Sequence, residues 1–304
     1  MLRLAMSSRA ETFDRVRRPL AERGIDVVHL RSKERTIQLT SDGDRRADPV
    51  DPAPEDVDVG FIYPTRLMEG GALSARLSIP WVNDREAVVT SRNKAAVTSA
   101  LDAAGIPVPR TVMVSNPVEE SAVIAAIEEA DLTFPVVIKP NSTTRGIGVT
   151  KASDVDDLSG TIDHVNLVHD YRATGDKSYL IQEFLPEARD YRVMVLNGEY
   201  VGAVERRLPE TTGRSGSKKN RRWKHNVHRG AEATGVDLPR RHRELAERTA
   251  QVLGIDYLGV DLLETDDRLV VVETNARPTV DAEKYETDFY DQLAGVIRET
   301  AGRI

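Results

Sequence analysis

The sequence predicts a mixed α/β (α+β) protein of three packed parts, and three observations predict it. The chain opens in βαβ order, a glycine-containing hairpin occupies its middle third, and strands dominate from residue 179 onward. At 304 residues it exceeds the size at which one hydrophobic core stops growing, so subdomains are expected at 1–84, 85–178 and 179–304.

Composition sets the limits. With 40% hydrophobic, 30% charged and 5% aromatic residues, the chain matches ordinary globular proteins with mainly aliphatic packing. The N-terminal apolar run is too short for a signal peptide, and no stretch approaches the roughly 20 apolar residues of a membrane span, so a cytoplasmic protein without a membrane partner is expected. The absence of cysteine excludes disulfides, zinc thiolates and thiol nucleophiles, which leaves oxygen and imidazole as metal ligands. A net charge of -7 argues against wholesale nucleic-acid binding.

Strands are expected at 2–6, 25–30 and 57–63 around a helix at 10–23; residues 42–58, rich in Asp and Pro, read as a solvated loop. A helix at 66–78 and a strand at 80–82 complete the first part. Residues 86–104 read as one helix, stopped by Gly105 with Pro107 beyond. Then come a strand at 111–114, a helix at 118–129, a strand at 134–139 and its return at 148–151, with no element assigned from 152 to 178. The last part reads as strands at 179–184, 191–196, 199–206, 258–264 and 268–274, with helices at 241–253 and 288–300.

Two hairpins can be counted. Asn197-Gly198 between apolar runs suits a two-residue turn, which pairs Leu196 with Glu199 and places Arg192 opposite Ala203 and Asp190 opposite Glu205. The turn at 266–268 places Asp261 opposite Glu273, with Asn275 on the same face as Glu273. Opposed carboxylates have Cβ atoms about 4.5–5.5 Å apart and repel, a cost that a bound Mg2+ would offset. A register slip that turns one carboxylate to solvent is the alternative.

Lys139 ends an otherwise apolar strand and is followed by a loop containing Ser142, Thr143, Thr144, Gly146 and Gly148. Its backbone N–H groups and hydroxyls could cover phosphates while Lys139 supplies charge. An ordinary hairpin with a surface lysine is the other reading. No Walker loop, dinucleotide fingerprint or H-E-x-x-H motif is present.

The order of the motifs resembles the ATP-grasp superfamily, and within it the RimK-like group, over roughly residues 86–280. The matching stretches are Arg92-Asn93-Lys94, residues 104–110, residues 137–140 with Gly146-Ile147-Gly148, Gln182-Glu183-Phe184-Leu185, Asp190-Tyr191-Arg192, Asn226-Val227-His228-Arg229-Gly230, Gly259-Val260-Asp261 and Glu273-Thr274-Asn275. Each is weak alone; eight in family order are specific. The resemblance implies an ATP-grasp fold behind an N-terminal βαβ domain. It also implies a ligase that activates a carboxylate as an acyl phosphate and joins it to an amine. It assigns Lys94 and Lys139, with Gly146 and Gly148, to the ATP phosphates, Gln182, Glu183, Phe184 and Leu185 to the adenine hinge, and Asp190 to the ribose. Arg192, Arg229 and Asn226 would steady the transferred phosphoryl group, and Asp261, Glu273 and Asn275 would hold Mg2+, with Mn2+ as the alternative cation.

Two departures bear on substrate. Where the family shows small residues and then Pro-Gly after the metal-binding asparagine, this chain has Asn275-Ala276-Arg277-Pro278-Thr279-Val280. The segment 206–229 carries Arg206, Arg207, Arg214, Lys218, Lys219, Arg221, Arg222, Lys224 and Arg229 against Glu210 alone. It reads either as a basic flap over ATP and an anionic acceptor or as a solvated loop. Trp223 is a thin platform for stacking nucleic acid, and His225 and His228 make a weak metal site. By resemblance the added amino acid is glutamate and the acceptor an anionic small molecule or protein tail; a homo-oligomer is left open. A non-catalytic ATP-binding module and a kinase of the same fold are the competing readings.

Overall fold

The computed structural model describes residues 1–7, 11–34, 36, 56–143, 146–169, 175–208 and 232–303. The expected loop at 42–58 lies almost wholly outside them, as do Asn226, Arg229, Trp223, His225 and His228.

The first part is a parallel sheet. Strands β1 (Leu2–Met6), β2 (Ile25–His29), β3 (Val59–Ile62) and β4 (Trp81–Asn83) stand in the order β2-β1-β3-β4, with helices α1 (Glu11–Ala21) and α2 (Leu67–Leu77) between them in sequence. α1 forms because Phe13, Val16 and Leu20 recur at helical spacing and bury one face, while Glu11 and Asp14 suit the positive end of its dipole.

The single helix expected at 86–104 is two: α3 (Arg85–Arg92) and α4 (Lys94–Ala103). Asn93 breaks it, with φ -84° and ψ 87°, ending α3 and capping α4 by accepting from Ala96 N at 3.1 Å. Asparagine competes with helical backbone hydrogen bonds, which makes it a better cap than an interior residue.

The middle sheet, β5-β8-β6-β7, is antiparallel. It contains β5 (Thr111–Ser115), β6 (Val136–Pro140), β7 (Thr150–Ala152) and β8 (Ser178–Glu183), covered by α5 (Glu120–Glu129) and α6 (Val155–His169). Its core, with Val123, Ile127, Leu158 and Ile162, is separate from the larger one. α6 was not expected from the sequence, although Val155, Leu158, Ile162 and Val165 recur at helical spacing and Leu158 and Ile162 are buried. β8 pairs with β5 and β6 in this sheet, and Ala87, Val88, Val97 and Leu101 of α3 and α4 belong to the larger core.

The third sheet runs β11-β10-β9-β12-β13, all antiparallel, from β9 (Arg189–Leu196), β10 (Glu199–Arg207), β11 (Glu232–Gly235), β12 (Tyr257–Glu264) and β13 (Leu269–Asn275). α7 (Arg240–Leu253) packs on it through Leu245, Ala246 and Ala250, and ends at Gly254 in the left-handed region. α8 (Phe289–Ala301) returns to β3 and β4 and joins this sheet to the N-terminal one in a single core.

The Asn197-Gly198 turn pairs Leu196 with Glu199 as expected, but the register beyond it is corrected by one residue. Val201 is extra: Tyr200 faces Val195, and Gly202 faces Met194. Arg192 therefore faces Val204 rather than Ala203, and Asp190 faces Arg206 rather than Glu205. Gly202 permits this bulge with φ +144°; a Cβ there would lie 2.7 Å from Tyr285 Cα. Asp261 does face Glu273, and a second bulge follows, since Leu262 faces Val271 and leaves Val272 outside the ladder.

Candidate active site

The site lies where the middle sheet meets one face of the third sheet. Cross-strand pairing sets Arg192, Asp261 and Glu273 in one row over β9, β12 and β13, while Met194, Gly259 and Asn275 form the next. The Arg192 stem lies over Gly259, whose added Cβ would stand 3.6 Å from Arg192 Cδ.

Arg192 grips Asp261 in a fork, Nε to Oδ1 and Nη2 to Oδ2, both at 2.7 Å. Arg206 Nε donates to Asp190 Oδ1 at 2.9 Å, and its Nη2 stands 3.1 Å from Asp261 Oδ2. The four groups alternate in sign. Burial pushes the Asp261 carboxyl up, yet Arg192 and Arg206 outweigh it and hold that carboxyl below its usual range. Arg206, expected at the start of a basic loop, ends β10 together with Arg207 and is 9% exposed. A signal for it existed, because glycine inside a strand pattern marks a bulge, and a one-residue shift at Gly202 brings Arg206 opposite Asp190.

Both lysines are buried. Lys94 is the first residue of α4, where the helix dipole is already positive, and its Nζ donates to Asn141 O at 3.4 Å and to Thr143 O, with Glu273 Oε1 at 3.6 Å. Lys139 Nζ donates to Gln182 Oε1 at 3.0 Å and to Val272 O, the bulge carbonyl, at 3.4 Å. Burial lowers the Lys139 ammonium to about 8, Glu273 opposing the change and Lys94 adding to it. Cations held this close, against an unfavourable dipole and desolvation, form a setting for a polyanion.

Asn141, absent from the expected site residues, fixes the loop. It accepts from Ala95 N at 2.9 Å and donates to Asn93 Oδ1 at 3.1 Å and Ser178 Oγ at 3.0 Å. The hairpin beyond it carries Gly146 at φ +65° and Gly148 at φ +75°; a Cβ on Gly148 would meet Pro140 Cγ at 2.7 Å. Glu183 is held by Arg268, Nη2 to Oε1 at 2.8 Å, and by Arg110 N at 2.8 Å. Phe184 and Leu185 follow β8, half-buried, with the Lys151 ammonium 4.9 Å from the Phe184 ring centroid.

The structure thus brings together Lys94, Lys139, Gln182, Asp190, Arg192, Asp261 and Glu273, with Asn275 beside them. The oxygen donors of Asp261, Glu273 and Asn275 suit a hard divalent cation. Both Asp261 oxygens meet guanidinium groups, and no cluster of three or more His, Asp or Glu stands ready-made among the described residues. A cation would therefore share Asp261 with Arg192 and Arg206, taking Glu273 and Asn275 from the partner strand. A groove of about 1030 Å³ lies elsewhere, beside Asn197, Arg241 and Arg248, and meets none of these groups.

Comparison with solved structures places the architecture in the ATP-grasp class. D-cycloserine synthetase DcsG aligns with a TM-score of 0.70 at 16% identity, covering 99% of both chains. D-alanine–D-alanine ligase from Bacillus anthracis aligns at 0.65 and 17%, covering 100% of this chain and 98% of that one. A RimK domain ATP-grasp protein from Sphaerobacter thermophilus aligns at 0.66 and 22% over 99% of both. Within that class the family is defined by sequence: the RimK-like ATP-grasp domain matches residues 91–297, and the chain belongs to that family. A probable alpha-L-glutamate ligase of Enterobacter sp. is 33% identical over 199 residues, 65% of this chain and 59% of that protein. A ribosomal protein bS6–L-glutamate ligase of Escherichia fergusonii is 31% identical over the same shares. The chain thus spans about 59% of the length of these curated relatives. No helix among the described residues is long and apolar enough to cross a membrane.

Proposed function

We propose that the chain is an ATP-dependent carboxylate–amine ligase. The carboxylate of an acceptor attacks the γ-phosphorus of ATP and ADP leaves. The amine nitrogen of an amino acid then attacks the acyl carbon, an amide forms, and phosphate departs. The observation that carries this reading is the convergence of Lys94 and Lys139, from two different elements, on the edge of the Arg192–Asp261–Glu273 row.

Phosphoryl transfer leaves the protein mainly positioning and charge neutralisation. Lys94 and Lys139 hold the phosphates beneath the Gly146–Gly148 hairpin, and the segment from Gln182 to Leu185 offers backbone groups to the adenine. Asp190, oriented by Arg206, takes the ribose side. Arg192 stands where the transferred phosphoryl group gathers charge, and Arg229 and Asn226, outside the described residues, are assigned there by the family motif. Asp261, Glu273 and Asn275 would hold Mg2+, which supplies charge neutralisation of the phosphates. Glutamate is the favoured amino acid, given the names of the relatives, and an anionic small molecule or protein tail the acceptor.

The test is incorporation of labelled glutamate into host extract with ATP and magnesium, Asp261→Ala serving as the control. Label in macromolecules means a protein acceptor, and label in small molecules a peptide or cofactor acceptor. Absence of label from both removes glutamate; absence of ADP release with any amino acid removes the ligase reading.

A further inference from the structure

Two arginines beside this site carry charge that no carboxylate among the described residues answers. Arg92 ends α3, and its Nη2 donates to Thr65 O at 2.9 Å. Arg277 lies in the loop where the chain departs from the family pattern, and its Nη1 donates to Tyr63 O. Both are half-buried, and their acceptors are backbone carbonyls two residues apart. Two half-buried guanidinium groups held on carbonyls two residues apart, with no carboxylate of the described residues between them, are costly unless something pairs with them.

Their location is a binding place in its own right. In a parallel sheet of order β2-β1-β3-β4 the connections reverse direction between β1 and β3, and ligands of open α/β sheets bind beyond the carboxyl ends of strands at such a point. Ser7 directly follows β1, and the segment from Tyr63 to Thr65 directly follows β3. The loop carrying Arg277 is clamped there. Asn83 Nδ2 donates to Ala276 O at 2.7 Å, and Ala276 N donates to Ser91 Oγ at 2.9 Å. Its other side adjoins the chemistry, since a Cβ on Gly259 would lie 3.1 Å from Pro278 Cβ and 3.6 Å from Arg192 Cδ.

An α-amino acid that donates its amine keeps its own α-carboxylate, whereas the activated carboxylate gives up its charge. The unreacted anion needs a counter-charge throughout, and a planar guanidinium matches it with paired donors. We propose that Arg92 and Arg277 bind the unreacted carboxylate of the amine-donating amino acid. This assignment rests on the ligase reading, and it explains why an arginine replaces a small residue after Asn275.

The test uses the full chain with magnesium and a non-hydrolysable ATP analogue, following Tm against each of the twenty amino acids and its carboxamide. The expected result is that at least one amino acid stabilises the wild type while its carboxamide does not. Arg277→Gln should weaken that amino acid about tenfold to a hundredfold, Arg277→Lys less, with the nucleotide shift retained in both as the sign that they fold. Equal binding by the carboxamide, undiminished binding in Arg277→Gln, or no response to any amino acid by a chain that responds to nucleotide would each overturn the proposal. A wild type that does not respond to nucleotide would remove the ligase reading, and this assignment with it.

Discussion

Replacing Arg206 with Ala tests the charge ladder directly. In the folded protein Arg206 is buried, pairs with Asp190 at 2.9 Å and stands 3.1 Å from Asp261, whose other partner is Arg192. Its loss leaves the buried Asp261 carboxylate with Arg192 as its remaining guanidinium partner among the described residues and removes the Arg206 contact from Asp190. Removing one partner of a buried ion network costs about 3–5 kcal/mol, because the remaining charge keeps its desolvation penalty and loses its compensation. The pH dependence fixes the cause. Asp261 titrates below its unfolded value in the wild type, so its stabilising contribution is present above the unfolded carboxylate pKa and disappears as pH falls through the lower folded value. Without Arg206 that depression weakens, the variant's Asp261 takes up its proton at higher pH, and the deficit narrows on acidification. Urea unfolding of both proteins from pH 6 down to about pH 3, through the unfolded carboxylate value of about 3.9, measures it. A deficit under about 1 kcal/mol, or one that stays constant over this range, would refute the reasoning.

Three further outcomes are expected. Because Lys139 titrates near 8 and phosphates favour its charged form, calorimetry should show nucleotide affinity falling from pH 7 to pH 9, by up to about tenfold per unit above 8, and Lys139→Met should flatten that slope. Gly202→Ala should lower stability by about 2 kcal/mol or more in denaturant melts, since a φ of +144° and a 2.7 Å approach to Tyr285 Cα add overpacking to strain, each costing about 1–3 kcal/mol. Asn93→Ala removes the cap of α4 and a support of Asn141, so it should cost about 1 kcal/mol of stability and weaken nucleotide binding through Lys94, both readable in one thermal titration.

The elements were legible because apolar spacing and turn residues are local signals. The Asn197-Gly198 turn and the opposition of Asp261 to Glu273 could be counted from residue types alone. Gly202 marks where one bulge can form, but residue counting alone did not set its register, and Tyr285 and Lys139, which meet the two bulges, come from elsewhere in the chain. The break at Asn93 was missed for a related reason: an asparagine within helical composition becomes a cap only when its flanking helices take different packing directions. Arg277 could be noted as a departure from the family pattern, but its closeness to Arg92 follows from the clamp by Asn83 and Ser91, contacts spanning more than 180 residues.

The extra residue at Val201 also decides which charge meets Asp190. With flush pairing from the Asn197-Gly198 turn, the sequence as written would press Glu205 against Asp190, acid on acid; taking up one residue slides Arg206 into that place. The strand is therefore proofread by charge at its far end, and the turn alone does not determine its alignment. One corollary concerns sequence length. Excising a residue from a buried strand ordinarily turns every later side chain to the wrong face, but here loss of Val201 would close the bulge and return Arg206 to Asp190, keeping the pairing while losing a fully buried side chain and the carbonyl that accepts from Glu286 N.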